Sequence, residues 1–283
     1  MLTAAQWHTQ ALATTLDARS LSLRASICET VRANGRGHVG PAFSLIEILR
    51  VLYDDVLRYQ PKNPHWIDRD LCILSKGHGC LALYALLADK DFFPMTELNT
   101  FCQKDSLLGG HPEPKLPGVE WPTGSLGHGL AVGVGMALAA RMQCRDNKVF
   151  VITGDGEINE GSIWESALSA AKHKLDQLTV MIDYNQLQSY GPTKTVLDLE
   201  PLSDKWTSFG FTVFETNGHD MTALRNTLFS AEKEKGKPKV IICHTVKGKG
   251  LSIAEDNPHW HHKSKLTDSE IVAIQKAFHL EGG

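Results

Sequence analysis

Asp155, held between Gly154 and Gly156, and Asn185 are the residues whose types and placement best support chemistry. Each stands two positions past a run of apolar and β-branched residues, VFVIT (149–153) and LTVMID (178–183), that reads as a buried strand. A carboxylate and an amide oxygen are hard donors of the kind Mg²⁺ takes when phosphate oxygens and water complete its octahedron. Gly156 would let the backbone approach a phosphate, and the start of the following helix would offer unpaired N–H groups to an anion. Taken alone, Gly-Asp-Gly also reads as a strand-to-helix turn with Asp155 as its N-cap. Asn185 at the end of the next strand weighs toward the ion. No Walker A run and no Gly-x-Gly-x-x-Gly follows a predicted strand, so the phosphate loops of nucleoside triphosphate and dinucleotide sites are missing.

Histidines make the second constellation. His38 in GRGHVG, His78 in LSKGHG, His111 in GGHPE and His128 in SLGHG all sit beside glycine. Glycine permits close approach of backbone to a ligand, and imidazole can donate to sugar hydroxyls and phosphate oxygens. A lone surface histidine means little; several in Gly-flanked loops point to a shared site. Near the end, His259, His261 and His262 could form a small metal cluster, but no carboxylate or cysteine completes it at ligand spacing, and Trp260 suggests a packed turn.

The elements that must position these groups alternate along the chain. Strands are expected at Leu71–Leu74, 149–153, 178–183, 213–216 and 240–244, with helices at 44–56, 78–88, 127–141 and 158–173. One long opening helix is expected over 4–33, stopped by Asn34-Gly35. With 158–173 as a right-handed crossover, Asp155 and Asn185 emerge at the carboxyl edge of neighbouring parallel strands. The stretch LGHGLAVGVGMALAAR suits a helix whose backbone packs closely on a neighbour, and the Gly- and Pro-rich segment 89–122 reads as a long surface excursion. Continuous apolar strands separated by helices give an α/β fold, a doubly wound, mostly parallel sheet with helices on both faces. All 283 residues read as a single domain, without repeat or linker.

Composition narrows the function classes. A chain 42% hydrophobic and 22% charged supports a sizeable core, and a net charge of −3 gives no basic stripe for nucleic acid. The six cysteines form no closely spaced pair and read as reduced core residues. Neither a secretory start nor an apolar run of membrane-spanning length is present in the sequence, so a cytoplasmic protein without membrane contact is expected.

Gly154-Asp155-Gly156 through Asn185 resembles the thiamine-diphosphate motif, in which Asp and Asn bind Mg²⁺ and the diphosphate hangs from the metal. That resemblance implies the backbone carbonyl of Leu187 as a further metal ligand, and thiamine diphosphate with Mg²⁺, or with Ca²⁺ or Mn²⁺, as cofactors. The motif alone would also suit the α subunit of a 2-oxo acid dehydrogenase, and 1-deoxyxylulose-5-phosphate synthase shares it. LSKGHG and GGHPE look more like the amino-terminal part of transketolase, and the resemblance runs over nearly the whole chain. It implies that His38 and His111 contact sugar hydroxyls near C1 and C2, and that His78 contacts the diphosphate. The backbone of Gly124 and Leu126 would meet the aminopyrimidine ring, with Gly154 and Gly156 lining the cofactor. His261 best matches the histidine that reaches both diphosphate and substrate, with His262 as the alternative one residue on. Glu160 and Glu165, ordinarily read as a solvated helix face with helix-dipole support, would join a carboxylate cluster at the subunit interface. His128 stands where many full-length transketolases carry Gln.

Thiamine chemistry needs a carboxylate hydrogen-bonded to the aminopyrimidine ring so that the thiazolium carbon can lose its proton. In full-length transketolase that glutamate lies in a second, pyrimidine-binding domain, for which too few residues follow Lys249. The expectation is therefore the diphosphate-binding half of a split transketolase. A separate subunit with the pyrimidine-binding and C-terminal domains would complete it as an α₂β₂ enzyme moving a two-carbon ketol unit from an anionic ketose to an aldose. The competing reading is a solitary remnant that binds the cofactor, or nothing, without catalysis.

Overall fold

The computed structural model describes residues 2–189, 191–261, 263 and 265–278. Helices α1 (Ala4–Ala13), α2 (Ala18–Asn34), α3 (Val39–Phe43) and α4 (Ile46–Val51) precede strand β1 (Leu71–Leu74) and helix α5 (Cys80–Asp89). Helix α6 (His128–Met142), strand β2 (Val149–Gly154), helix α7 (Gly161–Lys172) and strand β3 (Leu178–Tyr184) follow. After a small antiparallel pair, β4 (Leu187–Gln188) with β5 (Gly191–Pro192), come α8 (Thr193–Val196), α9 (Leu202–Ser208), β6 (Thr212–Asn217), α10 (Met221–Lys233), β7 (Lys239–His244) and α11 (Asp268–Phe278).

Five strands form one parallel sheet in the order β1-β2-β3-β7-β6. Alternate residues of each strand face opposite layers. Leu74, Phe150, Ile152, Met181 and Ile241 pack with α2, α4, α5 and α10 on one side. Ile73, Val149, Val151, Val180, Ile182 and Ile242 pack with α6, α7 and α9 on the other. Both faces being dry explains why these strands read as unbroken apolar runs rather than alternating ones. The close helix packing expected of the small-residue stretch is present. A Cβ added at Gly133 would come within 2.4 Å of Val151 Cγ2, and one at Gly129 within 2.2 Å of Ser75 Oγ.

Four expectations need correction. The single opening helix is two, because Thr14 is extended (ψ 126°) and Asp17 restarts the helix by accepting from the Ser20 N–H at 2.7 Å. A local side-chain cap here competes successfully with helix continuation. The helix expected over 44–56 starts earlier as α3, breaks at Ser44 and Leu45, resumes as α4 and ends in one wide π turn at Leu52–Val56. At the break, the Ser44 hydroxyl donates to Asp183, far away in sequence, at 2.6 Å. Segment 89–122 is irregular, but it is not a surface excursion: Phe93, Leu98, Phe101, Leu108, Leu116 and Val119 are buried in the core layer over α5. Cys144 is exposed at the end of α6 and Cys102 is half-buried, whereas the other four cysteines are core residues.

Candidate functional site

The carboxyl edge of the sheet gathers the chemistry. Asp155 follows β2 and Asn185 follows β3, so the paired strands bring them side by side as the spacing predicts. The Asp155 carboxylate accepts from the Gly156 N–H at 2.7 Å and from the Gln186 N–H at 2.5 Å, tying the two strand ends together. Asn185 Oδ1 accepts from the Leu187 N–H at 3.1 Å. Asp155 thus caps the short 3₁₀ turn Gly156–Asn159, as the turn reading expects, while keeping its place at the strand end beside Asn185. Gly156 is also constrained by its neighbours. Its N–H is engaged by Asp155, and an added Cβ would lie 2.9 Å from Gln188 Cβ.

Two lysines, unremarked in the sequence reading, are buried beside these groups. Lys76, at the end of β1, donates to Asp183, which also accepts from Ser44 and Thr245. Burial alone would raise the Asp183 pKa, but the Lys76 ammonium and the two hydroxyls outweigh it and hold the group below its ordinary value. Lys247, past β7, donates to the Leu187 carbonyl and stands 2.7 Å from His261 Nδ1. Burial pushes the Asp155 pKa up to about 6 against the pull of Lys247, and pushes Lys247 down to about 8 against the pull of Asp155. Glu157, missed as well, accepts from Ser75, from the Gly127 N–H at 2.9 Å and from the Gly154 N–H at 3.1 Å. That one carboxylate fastens the loop of Gly124 and Leu126 to the Asp155 turn. Lys76 and Lys247 carried one legible signal: a lysine between a strand end and a glycine, in LSKGHG and TVKGKG.

Three of the predicted histidines come together. His78 stacks on His261 with ring centroids 5.5 Å apart, and His38 meets His78 edge-on at 6.0 Å. Burial, then the charge of Lys76, lowers the His78 pKa well below that of a free imidazole. His111 joins through backbone: an added Cβ on Gly124, whose φ is +145°, would lie 2.9 Å from His111 Cδ2, and one on Gly77 would lie 2.9 Å from the Gly124 N. Tyr84 fixes that loop by donating to the His111 carbonyl at 2.8 Å. His128 is exposed at the start of α6, and His259 is exposed as well. His262 lies outside the described residues. Glu160 and Glu165 are exposed, while Trp164 between them packs on Trp206 and Phe209.

The donor set suits a hard divalent ion: a carboxylate, an amide oxygen and a carbonyl oxygen at two adjacent strand ends. The Lys247 ammonium lies on that carbonyl, so an ion bound there would share the oxygen with it or displace it. Asp155 and Lys247, each pushed toward its neutral form, would regain charge beside a metal and an anion respectively. Gln188 Nε2, beside Gly156, and Thr123 Oγ1, beside Gly77, are buried without a hydrogen-bond partner among the described residues. The site therefore fits a metal-bound, polyanionic group with further polar atoms.

Comparison with known proteins agrees. The family described as "Transketolase, thiamine diphosphate binding domain" matches residues 17–282. One of the subunits of the apulose-4-phosphate transketolase of Phocaeicola vulgatus is 43% identical over 262 residues, covering 93% of each chain. The 6-deoxy-6-sulfo-D-fructose transketolase subunit of a Clostridium species is 40% identical, over 92% of this chain and 94% of that one. The solved transketolase of Leishmania mexicana superposes with a TM-score of 0.85 at 33% identity, covering 92% of this chain but only 40% of its own. This chain belongs to the transketolase thiamine-diphosphate-binding domain family.

Proposed function

We propose that this chain is the diphosphate-binding subunit of a two-subunit transketolase, moving a two-carbon ketol unit from an anionic ketose to an aldose. The observation that carries the reading is the oxygen set of Asp155, Asn185 and the Leu187 carbonyl at adjacent strand ends, with Lys76 and Lys247 buried beside it. Relatives of matching length that are themselves named as single subunits of transketolases support a separate partner, and their substrates, a sugar phosphate and a sulfosugar, support an anionic ketose.

In this reading Asp155, Asn185 and Leu187 hold the divalent ion, and Lys76, Lys247, His78 and His261 surround the diphosphate. Thiamine diphosphate supplies the electron sink that lets the bond between C2 and C3 of a ketose break and re-form. The chain's own groups bind, orient and exclude water. Gly124 and Leu126 present backbone to the aminopyrimidine, with Gly124 kept free of side-chain atoms beside His111. His38 and His111 reach the sugar hydroxyls, His38 through the histidine cluster and His111 from the exposed side of the loop. Glu160 and Glu165 face the partner or a second copy. A partner subunit with the pyrimidine-binding domain supplies the carboxylate for the aminopyrimidine.

The test is a ketose panel, sugar phosphates and sulfosugars, assayed with the chain co-expressed with a candidate pyrimidine-binding subunit. Ketol transfer by the pair and not by either chain alone is the expected result. Cofactor binding without transfer to any aldose would overturn it in favour of a non-catalytic binding module.

A further inference from the structure

Outside the cofactor cluster lies a buried chain of charge that none of the assigned roles uses. Arg24 in α2, Glu47 in α4 and His219 after β6 are each 2% exposed or less. The Arg24 guanidinium grips Glu47 with two bonds, at 2.7 and 3.0 Å. Glu47 Oε2 lies 2.8 Å from His219 Nδ1, and His219 Nε2 lies 2.9 Å from the Val246 N–H. A backbone N–H can only donate, so Nε2 is the acceptor and Nδ1 carries the proton that goes to Glu47. Those two contacts fix the His219 tautomer. Burial would raise the Glu47 pKa, but Arg24 and His219 outweigh it and hold the carboxylate far below its ordinary range.

Both ends of this chain terminate on one short loop. His219 holds the Val246 N–H, and Arg24 Nε donates to the Lys249 carbonyl at 2.7 Å. Between those two anchors lies Lys247. A buried ion pair is a poor means of gaining stability, because desolvation offsets most of the Coulomb attraction, whereas its fixed geometry specifies position.

We propose that Arg24, Glu47 and His219 are positioning residues that hold the 246–249 loop at both ends and so present the Lys247 ammonium to the Leu187 carbonyl, His261 and the diphosphate. The last of these partners rests on the proposed function; the positioning of Lys247 in the cofactor-free chain does not. Lys76, in the same cluster, is held separately by Asp183 and serves as an internal control.

Two substitutions separate the roles. His219→Asn keeps an amide donor near Nδ1 for Glu47 but loses the acceptor for Val246, whereas His219→Gln puts an amide oxygen near the place of Nε2. Lysine acylation read by peptide mass spectrometry on the full cofactor-free chain should rise at least about fivefold at Lys247 in His219→Asn, the weight of one lost buried hydrogen bond. Lys76 should stay within about twofold, and His219→Gln should stay near wild type at both lysines. In the assembled enzyme, titration of thiamine diphosphate with Mg²⁺ should show affinity falling roughly tenfold in His219→Asn and recovering in His219→Gln.

Unchanged Lys247 protection in His219→Asn would overturn the proposal, as would Lys247 and Lys76 becoming reactive together in step with a lowered melting temperature. If that variant does not fold, wild-type amide exchange decides: Val246 should exchange as slowly as the amides of β7, and fast exchange would overturn the positioning role. A wild-type assembled enzyme that fails to bind thiamine diphosphate would instead bring down the proposed function and the diphosphate arm alone, leaving the lysine labelling to judge the loop.

Discussion

The carboxyl edge of the sheet and the outer face of α6 and α7 are built on opposite principles. At the edge, Asp155, Asp183, Glu157, Lys76 and Lys247 are nearly inaccessible to solvent, and each is tied to a group distant in sequence. On the outer face, Glu160, Glu165 and His128 are exposed, with Met142 and Leu168 at 83% and 59% exposure. Buried charges are costly to leave unpaired, so the first region specifies its own geometry. The second holds apolar and carboxylate groups in water with little to fix them, and the proposed function assigns its Glu160 and Glu165 to a partner or a second copy. In the proposed function the work of holding an ion and an anion is internal to this chain, and a partner subunit completes the site.

Breaking the internal side should give the largest effect. Asp155→Ala removes the only carboxylate among the proposed metal ligands and leaves Lys247 without its nearby counter-charge. Thiamine diphosphate affinity in the assembled enzyme should fall by about a hundredfold or more. Calorimetry with and without EDTA checks it, and binding that ignores both the substitution and the chelator would sink the metal assignment. The outer side predicts a dependence on the partner. Exchange of the C2 proton of bound thiamine diphosphate for deuterium should be slow with the isolated chain and at least about a hundredfold faster once a pyrimidine-binding subunit is present, the usual worth of a placed acid–base group. Rapid exchange by this chain alone would mean that one of its own carboxylates activates the cofactor.

The two regions also differed in how far the sequence disclosed them. The strands were plain, because a sheet buried on both faces is apolar along most of its length, and Asp155 and Asn185 were plain because they stand just past the ends of such runs. The break at Thr14 was not, although Asp17 before Ala18 is an ordinary N-cap, because Leu12, Leu16 and Leu23 continue the helical spacing across it. Lys247, Glu157 and Asp183 were hidden for a deeper reason. Their partners are contacts made by the tertiary fold, such as Asp183 with Lys76, and no local spacing encodes them. Lys76, inside LSKGHG, is marked only by its place between a strand end and a glycine.

His111 lies between the two regimes, exposed but backed by Gly124 and by Tyr84 on its carbonyl. Assigned to the sugar, it should matter to turnover more than to the cofactor. His111→Ala is expected to slow ketol transfer roughly tenfold, as for the loss of a hydrogen bond strengthened in the transition state. Thiamine diphosphate affinity should stay within about threefold of wild type. Equal losses in both measurements would move His111 from the substrate to the cofactor.

The smallest effect belongs to α1, which precedes the matched family segment and reaches the far side of the 246–249 loop. Trp7 stacks on His244 at 5.0 Å, Lys249 donates to the Leu12 carbonyl at 2.6 Å, and His8 Nε2 meets Asp256 at 2.9 Å. This last pair is half-exposed, unlike Glu47 and His219, so water and salt screen it. Its hydrogen bond to Asp256 raises the His8 pKa above 6.5, with burial opposing. A raised folded-state value means that the protonated form is favoured by folding. The stabilisation is complete below the unfolded value of 6.5 and disappears as pH rises through the folded one. His8→Ala should therefore lower thermal stability at about pH 5.5, by less than about 1 kcal/mol, and leave it unchanged at about pH 8.5. Melting curves of the two proteins at both pH values and at low and high salt check this. A loss that persists at high pH, or that salt does not weaken, would mean that His8 holds α1 by packing rather than by charge, and that the outer strap resembles the buried edge more than its exposure implies.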